Sequence, residues 1–60
     1  MRGSLYEVRQ LLKRFNIMVY TGNDADDAII MELELKDIFE MGLIEEEEYK
    51  RALLLLRSIK

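Results

Sequence analysis

At the 100° per residue of an α-helix, Arg2, Tyr6, Arg9, Gln10 and Lys13 gather on one side of the opening segment. Cations beside an aromatic ring are what is needed to hold a phosphate backbone and stack a base, the chemistry of single-stranded DNA or RNA binding. If the first and third helices lie side by side, Lys50, Arg51 and Arg57 widen that patch. The same spacing also suits an ordinary solvated helix face, partly paired with the acidic second helix. Because the net charge is −3, binding would rest on local clustering and fall steeply with salt.

Other chemistries find little support. Asn23, Asp24, Asp26 and Asp27 follow Gly22, but without the ligand spacing, sixth-position glycine and terminal Glu of a calcium loop. Helix capping explains them better. Glu45 to Glu48 read as a solvated helix N-terminus favoured by the helix dipole, with a divalent-metal patch as the alternative. The chain has no Cys and no His, and no nucleophile stands beside a candidate base. Gly3, Gly22 and Gly42 are too scattered to cradle a phosphate. A non-enzymatic protein is expected, with no metal, cofactor or small-molecule substrate.

A second candidate surface is apolar. Ile29 and Leu33 lie off the core face of their helix, one turn apart, while Leu54 points away from the core and Leu55 sits at its margin. These four residues could bind a protein partner or a second copy of the chain.

The elements that position both surfaces are three helices. Ser4 and Glu7 form a capping box that opens the first, whose apolar face is Leu5, Val8, Leu11, Leu12 and Phe15. Its end is expected near Phe15-Asn16, since Asn tolerates the left-handed conformation. Ile17 to Tyr20 is a short apolar run with no partner strand, and it reads as an extended connector laid across the bundle end. Asn23 or Asp24 caps a second helix running from about Asp24 to Met41, with Ala28, Met31, Leu35, Ile38 and Phe39 inward. Gly42 stops it in the left-handed conformation. Glu45 and Glu48 then form a second capping box, Ile44 and Tyr49 a hydrophobic staple. A third helix runs from Glu46 towards Lys60, with Tyr49, Ala52, Leu53, Leu56 and Ile59 inward. The second and third helices make an αα-hairpin.

The expected fold is therefore an all-α three-helix bundle, one domain over residues 1–60. Charge is strongly segmented. Residues 1–20 carry four cations against Glu7 alone, residues 21–48 eleven acids against Lys36 alone, and residues 49–60 four cations and no acid. Half of the residues are hydrophobic, a surplus for so small a sphere that points to self-association. No targeting segment is visible, Leu53 to Leu56 is far too short to span a membrane, and a cytoplasmic location is expected.

The run Leu5-Tyr6-x-Val8-x-Gln10-Leu11-Leu12-Lys13-x-Phe15 resembles the opening of the short bacterial YqgQ-like proteins. The likeness continues through Val19-Tyr20-Thr21-Gly22, Met31-Glu32-x-Glu34-Leu35-Lys36, Leu43-Ile44 and Tyr49-x-x-Ala52. It implies a compact three-helix fold and binding of single-stranded nucleic acid, with Tyr6, Gln10, Lys13 and Tyr20 at the matching polar and aromatic positions. Where the family pattern carries a basic residue after Thr-Gly, this chain has Asn23-Asp24. Leu35 to Leu56 also looks like the C-terminal helical hairpin of many bacterial proteins, a module associated with oligomerisation.

Overall fold

The computed structural model describes residues 2–58, and the side chains from Leu5 to Ser58. The sequence makes three helices, α1 (Arg2–Lys13), α2 (Asp24–Glu40) and α3 (Glu46–Arg57), and each packs against the other two. Among the described residues there is no strand. The core is built from the apolar stripes: Leu5, Val8 and Leu12 of α1, Met31, Leu35 and Ile38 of α2, Ala52 and Leu56 of α3. Val19 from the connector and Ile44 from the hinge complete it. Ile59 and Lys60 lie outside the described residues.

Two helices end by the same device. Asn16 and Gly42 adopt positive φ, +63° and +77°, as their types allow. After α1, the Asn16 N–H donates to the Lys13 carbonyl at 3.0 Å and the Ile17 N–H to the Leu12 carbonyl at 3.1 Å. After α2, the Gly42 N–H donates to the Phe39 carbonyl at 3.0 Å and the Leu43 N–H to the Ile38 carbonyl at 2.9 Å. This paired pattern is the Schellman motif, which satisfies carbonyls that a helix end would otherwise leave bare.

The helix starts differ from expectation in two places. α1 is already helical at Arg2, so Ser4 sits inside its first turn and not at the cap. Glu45 does occupy the N-cap of α3 in extended conformation, yet its side chain makes no capping hydrogen bond. Glu48 instead reaches Arg14 at 2.7 Å, a charged partner that outcompetes a backbone amide already accessible to water. α2 follows expectation: the Asn23 carboxamide oxygen accepts from the Asp26 N–H at 3.0 Å.

At the hinge, Ile44 is buried, while Tyr49 lies flat against Phe39 with ring centroids 4.4 Å apart and planes 6° apart. This aromatic pair ties the end of α2 to the start of α3. Along the connector, Ile17 and Val19 turn inward while Met18 and Tyr20 face solvent, the two-residue alternation of an extended chain. Only half of the connector's apolar residues therefore cover the bundle end.

Candidate nucleic-acid interface

The outer face of α1 keeps Tyr6, Gln10 and Lys13 in solvent, because Leu5, Val8 and Leu12 occupy the opposite side. Tyr6 is 60% exposed, and Lys13 has no acidic partner among the described residues. The connector returns past the end of this face and adds Tyr20, 82% exposed. Arg9, Gln10, Lys13, Met18 and Tyr20 border one shallow groove of about 230 Å³, floored by Ile17 and Val19. The tyrosine of the connector and the polar residues of α1, seven to eleven residues apart in sequence, are thus brought together. A larger groove of about 610 Å³ runs between α1 and α3, with Val8, Leu11, Ala52 and Leu55 among its lining. Tyr6 and Gln10 stand on its edge, so Gln10 is shared by both depressions.

Arg9 has a different role from its neighbours. Its Nη2 lies 2.6 Å from Asp27 Oδ2, and its Nε donates to the Val19 carbonyl at 3.3 Å. The guanidinium also covers the Tyr20 ring, 5.5 Å from the centroid. Arg9 lies at the edge of the α1 face nearest α2, its side chain 30% exposed against 1% for Asp27. Its charge is spent inside the fold, where it also lies against the Tyr20 ring.

Asp27 is the group that sequence reasoning missed. It reads locally as one more acid in the first turn of α2, yet it is buried. One oxygen accepts from both the Thr21 hydroxyl and the Thr21 N–H, each at 2.7 Å, and the other faces Arg9. The Thr21 hydroxyl foremost, then its N–H and Arg9, hold the carboxyl below its ordinary value of 3.8 against the opposing effect of burial. A signal was present. Asp27 stands one turn before Met31 on the core stripe, where an acid requires a cation and donors.

The other cations of the expected patch divide. Lys50 pairs with Glu46 at 3.4 Å and Arg51 with Glu7 at 3.5 Å, both in exposed settings. Arg57 is exposed and has no acidic partner among the described residues. The Arg2 side chain lies outside the described residues. Glu46 and Glu48 turn to different partners, and among the described residues no three acids converge to hold a metal ion.

Of the apolar candidates, Ile29 and Leu33 are 61% and 62% exposed, Leu54 is exposed on α3, and Leu55 is half-buried against the core. Among the described residues, no helix is long and apolar enough to cross a membrane.

Comparison with known proteins places these residues in a lineage. A model of the YqgQ-like family matches residues 2–60. The uncharacterized protein YqgQ of Bacillus subtilis (strain 168) is 39% identical over 56 residues, covering 93% of this chain and 79% of its own. No solved structure gives a significant match. With the family match running almost end to end, the chain belongs to the YqgQ-like family.

Proposed function

We propose that this protein binds single-stranded nucleic acid weakly and without sequence preference, on the outer face of α1 and the adjoining connector. The observation that supports this reading is the pair of solvent-facing rings, Tyr6 and Tyr20, set around Gln10 and Lys13, a cation with no acidic partner among the described residues. Stacking of a base on an exposed ring contributes about 1–3 kcal/mol and tolerates any base. Lys13 contributes one phosphate contact, while Arg9 holds Tyr20 in place from behind. Arg57 acts as an outlying cation.

With so few free cations in the patch, stacking carries most of the affinity. Each phosphate contact to a single strand gives a slope of only about −0.7 in log affinity against log salt. With Arg9, Lys50 and Arg51 paired within the fold, the salt dependence is therefore shallow and not steep as a free cluster of cations would make it. Fluorescence anisotropy with a labelled oligonucleotide, repeated across salt, tests this. Tyr20→Ala and Lys13→Ala are each expected to weaken binding. No binding at low salt, or binding indifferent to both changes, would sink the proposal.

A further inference from the structure

The outward ridge of α2 carries a second pattern. Asp26, Ile29, Leu33, Lys36 and Glu40 are all exposed, and they follow one another at alternating spacings of three and four residues. That is the seam of a coiled coil, on the side of α2 opposite its buried stripe of Met31, Leu35 and Ile38. Two apolar residues sit at the middle of the seam, an acid and a cation at the flanks. Lys36 is the lone cation of α2, and it forms no ion pair among the described residues although Glu32 and Glu40 stand one turn to either side. The Asp26 carboxylate likewise has no partner among the described residues.

We infer that this seam docks against the same seam of a second copy, with the two α2 helices antiparallel about a two-fold axis. In that orientation one register matches four of the five seam residues, with Glu40 falling beyond the end of the second copy's α2. Ile29 lies across from Leu33 of the second copy, and Leu33 across from its Ile29. The same register sets Lys36 against Asp26 of the second copy, and Asp26 against its Lys36. Shifting by one heptad in either direction puts an apolar residue against a charge. A parallel pairing puts Asp26 on Asp26 and Lys36 on Lys36, which is repulsive. Charge thus selects the antiparallel arrangement, and the contact is isologous and closes on itself as a dimer. Only two apolar layers are buried per seam, so association is weak. The contact surface is the face of α2 away from the core, distinct from the α1 face proposed for nucleic acid.

Sedimentation equilibrium of the full chain, from roughly 10 μM to 1 mM, reads the affinity range such a short seam can supply. Reversible dimerisation is expected. Lys36→Glu and Asp26→Lys should each weaken it by about tenfold or more, through like charges placed in contact. The double variant Asp26→Lys, Lys36→Glu restores both pairs and should recover dimerisation. An equimolar mixture of the two single variants should associate where neither does alone. Leu33→Glu, at an exposed site, should abolish association with the melting temperature kept, which covers the case where Asp26→Lys loosens the first turn. A chain that stays monomeric at 1 mM, single reversals without effect, or a double reversal that fails to recover would each overturn the inference.

Discussion

Arg9 and Asp27 meet at 2.6 Å across the seam of α1 and α2, and the same guanidinium reaches the Val19 carbonyl. With Thr21 donating twice to Asp27, this one cluster fixes the course of the connector between the two helices. No buried side-chain polar atom among the described residues is left without a partner. The cluster is fully satisfied, so removing any member leaves the rest exposed to an unpaid desolvation.

Arg9→Met keeps the apolar stem and removes the charge, leaving the Asp27 carboxylate buried without its cation. Loss of one partner of a fully buried pair costs about 3–5 kcal/mol. Arg9 retains partial exposure, and a loss of about 2 kcal/mol is expected from denaturant melts. Arg14→Met, which removes an exposed pair with Glu48, should change stability by no more than about 0.5 kcal/mol.

Acid should loosen the fold through Asp27. Its carboxyl titrates below 3.8 in the folded chain, chiefly because Thr21 donates to the charged form. An unfolded Asp titrates near 3.9, so between the two values the unfolded chain binds more protons. The stabilisation from this group is present in full above about pH 5 and is lost as pH falls through the folded value. Melting temperatures measured from pH 2 to pH 7 should converge for the native chain and Asp27→Asn at the acid end. Curves that stay parallel would show that the carboxylate does not carry the effect.

Gly42 tests the left-handed turn without steric complication. A Cβ built there meets nothing within 4 Å, so a substitution reads the backbone alone. L-alanine is expected to lower stability by about 1 kcal/mol, and Gly42→Val by somewhat more. D-alanine, introduced by chemical synthesis, favours positive φ and should raise stability by about 0.4–1 kcal/mol. Equal effects of the two enantiomers would contradict the assignment.

What could be read from the sequence was what neighbours in sequence decide. The apolar stripes, the left-handed Asn16 and Gly42 and the Asn23 cap each depend on residues within two turns, and all three helices form, although α1 is already helical at Arg2, ahead of the Ser4 cap expected of it. Apart from the local Ser4–Glu7 box, the failures are tertiary. Glu48 left its expected capping box for Arg14, 34 residues away. Arg9 could be read as a free cation or as paired with the acidic second helix, and the choice is made only when α2 packs on α1 and brings Asp27, 18 residues on. The groove beside Lys13 was equally hidden, since it exists only once the connector folds Tyr20 back beside α1.

The Phe39–Tyr49 stack has a kinetic consequence. Its rings are ten residues apart in sequence, and closing a loop that short is cheaper than closing the longer ones that seat α1. The prediction is that α2 and α3 pair in the folding transition state while α1 is still loose. Phe39→Leu should then slow folding, whereas Arg9→Met should chiefly speed unfolding, as stopped-flow chevrons would read. On this order the helix that carries Tyr6 and Lys13 is the last piece of chain to join the protein and the first to leave it.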